Sequence, residues 1–307
     1  MSNFVISLDF ELKWGMLDSG NGYDKNILGA REAIPLILET FKEYNIISTW
    51  AIVGMLFNSN NDDFKRYKPS ITNKSKSAIN PYNINLDNPA IRDLFFAPEL
   101  IKLIVSSNIH EVATHTYSHF DSSNTNDLSL EFKEDIKMAK KIAYEKYNID
   151  LKTIIFPRNN INKKYFSVLK ELGITHYRGN PDNILYKFGH NKKNILLRSL
   201  RYIDSFIKIT SNKNKETERS EALIDVKASR MLRPFIKNKF FNYLMLKRIK
   251  NEMLMAAKLD YDYHLWWHPH NFGVNTKENI KNLANILSYY CYLREKYGMK
   301  STKMSEI

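Results

Sequence analysis

The chain has a single cysteine in 307 residues, Cys291, so no internal disulfide can form. Cys291 falls in an apolar helical stretch and reads as a small core residue. Long apolar runs are missing too. The longest, Ile46 to Phe57, is too short to cross a bilayer. The N-terminus carries no basic region ahead of its apolar residues, and Asp9 and Glu11 interrupt the run, which excludes an ordinary signal peptide. A cytoplasmic location is expected from these absences, with contact at the inner membrane surface left open. No glycine-rich nucleotide fingerprint follows the first strand, and there is no internal repeat.

Charge of one sign is present in excess. The 46 Lys and Arg against 33 Asp and Glu give a net charge of +13. Such a surplus attracts phosphate, anionic headgroups or nucleic acid. Lysine is spread along the chain among Asn and Ile, as biased composition also produces. No nucleic-acid motif accompanies it, so nucleic acid is not an expected partner. The hydrophobic fraction of 43% can fill a sizeable core. One domain over 1–307 is expected, because α/β barrels of this length are often single units.

Along the chain, apolar strand-like runs alternate with amphipathic helical stretches. Phe4 to Leu8, Ile46 to Val53, Glu111 to Thr114, Thr153 to Phe156 and Tyr263 to Trp267 read as strands. Arg31 to Tyr44, Leu100 to Val105, Leu130 to Tyr147 and Phe240 to Leu259 read as helices, and a last helix ends near Lys296. Residues 17–29 read as a loop, and Pro35 fits a helix only in its first turn. Asn162 is a helix cap and Gly173 a helix stop. Asn275 with Glu278 suggests a capping box. Residues 58–98, rich in Asn, Lys, Ser and Pro, read as an insertion, either a lid or a mobile loop. Residues 211–221 read as a solvated charged loop, and 205–235 find no place in the pattern. The alternation predicts a parallel sheet covered by helices, and a barrel rather than an open sheet.

Several strands end directly in residues able to do chemistry: Asp9 and Glu11, His115, Arg158 and His268. In a parallel barrel the C-terminal strand ends share one face, so residues far apart in sequence can meet there. His115 and His119 are four apart and would face the same way on a helical turn, holding one metal ion. That spacing alone carries little weight, since two satisfied surface histidines give it as well. Asp9 and Glu11, two apart on extended chain, point to one side. One of them could ligate a cation while the other stays free as a base; ion pairs with lysine are the plainer alternative. Trp266-Trp267-His268-Pro269-His270 puts two indoles and two imidazoles within five residues, suited to a sugar ring or to a core. Arg158, followed by Asn159, could instead pair with a structural acid.

Taken together, these segments resemble the polysaccharide deacetylase family, the NodB-homology group of carbohydrate esterases. The matching stretches run in the family's order: Ser7-Leu8-Asp9-Phe10-Glu11, Thr49 to Gly54, Glu111 to His119, Phe156-Pro157-Arg158, and His268-Pro269. His115-Thr116-Tyr117-Ser118-His119 is the most specific of them. The resemblance implies an α/β fold, a deformed (β/α) barrel of the NodB-homology type, with a divalent metal, usually Zn2+. By motif position it implies Asp9 as general base, Glu11, His115 and His119 as metal ligands, and His268 as general acid, with His270 as the alternative acid. Arg158 would orient the base, and Trp266, Trp267, His270 and Asn159 would line the substrate site. The sequence departs from the family in two places. Phe10 separates the two acids, and Arg158 follows its proline instead of preceding it.

The expected reaction is removal of an N-acetyl or related acyl group from a carbohydrate. Without an export signal, a nucleotide-linked or lipid-linked precursor of a surface polysaccharide is the expected substrate. A deformylase or other amidohydrolase acting on a lipid-linked formamido sugar, and a non-catalytic sugar-binding relative, are the alternatives.

Overall fold

The structure is a computed structural model that describes residues 1–72, 80–183, 185–186, 195–210, 218–219 and 223–307. Its strands are β1 (Asn3–Phe10), β2 (Thr49–Ile52), β3 (Glu111–Thr114), β4 (Thr153–Ile154), β5 (His176–Tyr177), β6 (Glu218–Arg219), β7 (Ile224–Asp225), β8 (Arg230–Met231), β9 (Tyr263–Trp267) and β10 (Lys300–Thr302). Its α-helices are α1 (Asp24–Glu43), α2 (Asn61–Arg66), α3 (Arg92–Phe95), α4 (Pro98–Ser106), α5 (Ser129–Tyr147), α6 (Phe166–Glu171), α7 (Ile195–Ile203), α8 (Lys239–Leu259) and α9 (Thr276–Tyr297).

β1 is central. It is buried from Phe4 through Phe10, which matches its nearly continuous apolar sequence. β9 pairs along one edge, and β2 and β10 share the other. β3, β4 and β5 follow outward from β2, all parallel. The far edges of this sheet meet through one short segment. β7 pairs with β5 and β8 with β9, and only residues 226–229 lie between them. Within that link the Ala228 N–H donates to Gly179 O at 2.9 Å, and the Ser229 N–H to His264 O at 2.8 Å. The sheet therefore curls into a (β/α) barrel, deformed by two-residue strands and by the antiparallel β6. The stretch 205–235, unplaced by pattern alone, holds the strands that join the two edges.

Tertiary packing overrides some local signals. α1 begins at Asp24, so residues 24–29 are helical and not loop, and Pro35 lies in mid-helix. The helix tolerates the lost N–H because it is pinned elsewhere. A Cβ on Gly29 would lie 1.9 Å from the Gly273 carbonyl oxygen, so α1 rests backbone-to-backbone on the turn after β9. Asn275 makes no capping box. It adopts φ 55° with no side-chain cap, and Asn279 Nδ2 instead donates to the Val274 and Asn275 carbonyls. Asn162 does cap, accepting from the Lys164 N–H, and Gly173 takes φ +76°.

Part of the described stretch of 58–98 packs on the barrel. Trp14 stacks on Phe64 at 5.7 Å and donates to Phe95 O at 2.7 Å, so α2 and α3 cover the turn after β1. Residues 73–79 of this insertion lie outside the described residues. So does the charged loop 211–221, apart from 218–219.

Candidate active site

β1 delivers Ser7 and Asp9 to the barrel interior, and Glu11 follows in the turn beyond its last residue. Glu11 is seated by a glycine: a Cβ on Gly15 would fall 2.1 Å from its Cδ. His115 and His119 come from the loop after β3. Glu11 Oε2 lies 3.3 Å from His115 Nε2 and 3.1 Å from His119 Nε2. One ligand atom from each of the three residues falls within 4.8 Å of the others.

The two imidazoles do not share a helical turn. Their loop is irregular, with Thr116 at φ 63° and His119 at φ 54°. Its shape is imposed from below by Asp135 of α5. That buried carboxylate accepts the Tyr117 N–H at 2.6 Å, the Ser118 N–H at 3.1 Å and the Ser118 hydroxyl. Burial, opposed by these donors, raises the Asp135 pKa to about 6.

Asp9 sits beside this cluster in a different setting. Arg178, just after β5, holds it with two bonds of 2.7 Å, from Nη1 to Oδ1 and from Nη2 to Oδ2. Arg178 Nη2 also donates to Asn159 Oδ1 at 2.8 Å, and Nη1 to Ser7 Oγ at 3.0 Å. Ser7 Oγ lies 2.8 Å from His264 Nε2, and His264 Nδ1 lies 3.3 Å from Val226 O. A carbonyl can only accept, so Nδ1 carries the proton and Nε2 accepts from Ser7. Burial and then Arg178 push His264 down to about 3, which keeps it neutral. Burial works to raise the Asp9 pKa, but Arg178, His115 and His268 overcome it and hold the carboxyl below its ordinary value. Glu11 is also buried, and His268, His115 and His119 hold it well below the usual range.

His268 closes the far side. Its Nε2 is 3.5 Å from Glu11 Oε1 and 3.8 Å from Asp9 Oδ2. Its side chain is 22% exposed, more open than any of the residues it faces. His270 lies behind it with ring centroids 5.0 Å apart, buried, and pushed down to about 3 by burial and by His268.

The structure thus brings Asp9, Glu11, His115, His119 and His268 together, with Asn159 and His270 against them. Arg158 stands apart: it takes φ 59°, is partly exposed, and pairs with Asp18 at 3.0 Å. Arg178, not Arg158, is the guanidinium bound to Asp9. The sequence offered a signal for it, a strand ending in His176-Tyr177-Arg178-Gly179, but two residues are too short to show a period. Trp267 is also misplaced as a sugar platform. It is fully buried and stacks on Phe272 at 5.6 Å, inside the core. Trp266 lies under the Arg178 guanidinium at 4.3 Å and lines a narrow cleft with Asn159, Tyr186 and Arg230. Ser7 entered only as the first residue of its matching stretch and His264 carried no sequence signal, because the importance of both is one of contact.

His115 supplies a test of whether a cation fits. Both of its ring nitrogens are buried without a hydrogen-bond partner among the described residues. Buried polar atoms are rarely left so, and one carboxylate with two imidazoles is a zinc-type donor set. The residues present fit a divalent metal.

Comparison with known proteins gives the family and the fold. The polysaccharide deacetylase family profile matches residues 18–177, just over half of the chain. No curated protein matches. Among solved structures the chain is similar to one described as a candidate polysaccharide deacetylase from Mycobacterium smegmatis, at TM-score 0.62 and 12% identity, covering 99% of this chain and 88% of that one. It is similar to the PuuE allantoinase at TM-score 0.56 and 13% identity, with the same coverage of 99% and 88%. A probable polysaccharide deacetylase from Pseudomonas aeruginosa PAO1 gives TM-score 0.54 and 12% identity, again covering 99% and 88%. At these identities the structures speak for the fold, and the family match speaks for an acetylated carbohydrate as substrate. With a deformed (β/α) barrel and a profile match over just over half of its length, spanning β2 to β5, this chain belongs to the polysaccharide deacetylase family.

Proposed function

We propose that the chain is a metal-dependent hydrolase that removes an N-acetyl or related acyl group from a carbohydrate. One observation carries the reading: Glu11, His115 and His119 converge within 4.8 Å, with a spare carboxylate on one side and a partly open imidazole on the other. A divalent cation, most simply Zn2+, would be held by those three residues and would supply Lewis-acid polarisation of the carbonyl and acidification of a water.

The remaining chemistry belongs to the chain. Asp9 accepts the proton of the attacking water. Its low pKa keeps it anionic, which suits a base paired with an acidified water rather than a bulk one. Arg178, fixed by Ser7 and Asn159, holds the carboxylate in one orientation. An amine leaves poorly unless protonated, and His268 supplies that proton. His268 suits the acid role better than His270, whose burial keeps it neutral. Trp266 forms a wall of the substrate site through its place in the adjoining cleft. A nucleotide-linked or lipid-linked sugar is the proposed form of the substrate. Because the fold also serves an allantoinase, the barrel alone does not fix the substrate.

The test is metal analysis of the purified chain, with acetate and formate release measured on N-acylated sugars. About one divalent metal per chain is expected, with acetate release that stops on chelation and returns with Zn2+. A folded preparation that binds no metal, or activity indifferent to chelation, would overturn the reading. Formate release alone would move the acyl group from acetyl to formyl.

A further inference from the structure

Outside the active site, the surface around α7 and the start of α8 is unusual in two independent ways. The first is exposed apolar area. Ile195 and Leu196 open α7 at 75% and 69% exposure, and Phe240 near the start of α8 is 64% exposed. Ring contacts, with buried Phe206 as the bridge, join the end of α7 to the start of α8. Tyr202 meets Phe206 at 5.1 Å, Phe206 meets Phe241 at 5.3 Å, and Phe241 meets Phe240 at 5.8 Å. Scattered single apolar residues are normal on a surface, but a joined patch marks an interaction site.

The second is charge. Residues 227–251 contain eight Lys or Arg and no acid. Between 195 and 210 the only acid is Asp204, which is fully buried against Arg230 and Arg248. Arg198 on α7, Lys208 shortly after it, and Lys237 and Lys239 at the start of α8 are all exposed. Apolar and aromatic side chains ringed by long cationic ones are what an anionic bilayer surface accepts: the rings enter the headgroup boundary, and the lysines reach lipid phosphates. A protein partner would need an acidic rim to match, whereas anionic lipid supplies that charge everywhere.

The patch also adjoins the cleft beside the active site. Arg233 lies over Tyr202 at 4.8 Å, and Arg201 lies over Tyr186, which lines the cleft with Trp266, at 5.3 Å.

We infer that the surface formed by α7 and the first turn of α8 docks on an anionic lipid bilayer and turns the mouth of the Trp266 cleft toward it. Among the described residues no helix is long and apolar enough to cross a membrane, and the contact inferred here is a peripheral one. The inference rests on surface composition and not on which acyl group is removed, so it stands or falls separately from the hydrolase reading.

Co-sedimentation of the full chain with vesicles tests it without any turnover measurement. Binding is expected to phosphatidylcholine vesicles containing about one-third phosphatidylglycerol, and little to pure phosphatidylcholine. Salt near 1 M, where the screening length falls to about 3 Å, releases the protein. Leu196→Glu and Phe240→Glu each reduce bound fraction about tenfold or more, while Leu130→Glu, at an exposed site on α5, does not. Failure of the wild type to sediment, binding insensitive to salt, or binding undiminished in both patch variants would overturn the inference. Lipid-free self-association that the same variants abolish would assign the patch to a second copy, and would overturn it equally.

Discussion

Two glutamates mark the two ends of the barrel, and their surroundings differ in kind. Glu111, at the N-terminal end of β3, accepts the Thr49 hydroxyl at 2.8 Å, the Thr153 hydroxyl at 2.5 Å and the Ser305 N–H at 3.1 Å. Those donors come from β2, β4 and the C-terminal segment, so Glu111 ties strands together. Glu11, beyond the C-terminal end of β1, has three imidazoles as its ion-pair partners among the described residues, one of them with no hydrogen-bond partner of its own there. The first carboxylate completes a hydrogen-bond network. The second sits among donors whose set fits a cation. In parallel barrels the first end carries stability and the other carries chemistry, and here that division is visible in hydrogen-bond satisfaction.

Breaking the comparison at its chemical end gives the largest effect. Glu11→Ala should bring both metal content and turnover to background, measured by elemental analysis and product release. Asp9→Asn separates base from ligand: turnover should fall on the order of a thousandfold while metal stays bound. Full activity in that variant would remove Asp9 from the base role. At the other end, Glu111→Ala should leave turnover per folded molecule intact and cost about 4 kcal/mol of stability, since three donors lose their acceptor. Denaturant unfolding reads this directly, and a loss of metal instead would erase the distinction between the two ends.

Asp135 sharpens the comparison with a smaller effect. Its pKa of about 6 lies above the unfolded value, so the folded state holds its proton more tightly than the unfolded chain does. That contribution is present at low pH and is lost as pH rises from about 4 through 6. Asn cannot titrate, so Asp135→Asn should gain on the wild type by at most about 3 kcal/mol between pH 4 and pH 7. Unfolding curves at the two pH values that keep a constant gap would show that Asp135 does not titrate in this range.

Legibility followed length and directness. β1 and β9 were readable because each is a largely apolar run leading into a polar group, β3 because it leads directly into His115, and α5 and α8 because each spans several periods. β5, β7 and β8, two residues each, carry no period to read. The three residues proposed as ligands could be named from the sequence because they sit at or just after strand ends, and the structure brings them within 4.8 Å of one another. Arg178 was missed with its strand, and Arg158 was favoured because the apolar run Thr153 to Phe156 ahead of it reads as a strand, although β4 itself is no longer than β5. The capping box at Asn275 failed because the backbone there is left-handed.

By itself the sequence determined the alternation of elements, the family, and which strand ends carry acids and imidazoles, because these depend on residue type and local spacing. Only the tertiary structure decided which arginine reaches Asp9, which tryptophan faces the cleft, how the two sheet edges meet, and that basic and apolar residues from α7 and α8 share one surface. Those are distances between segments far apart in the chain, and a distance set by packing leaves no periodic trace in the sequence.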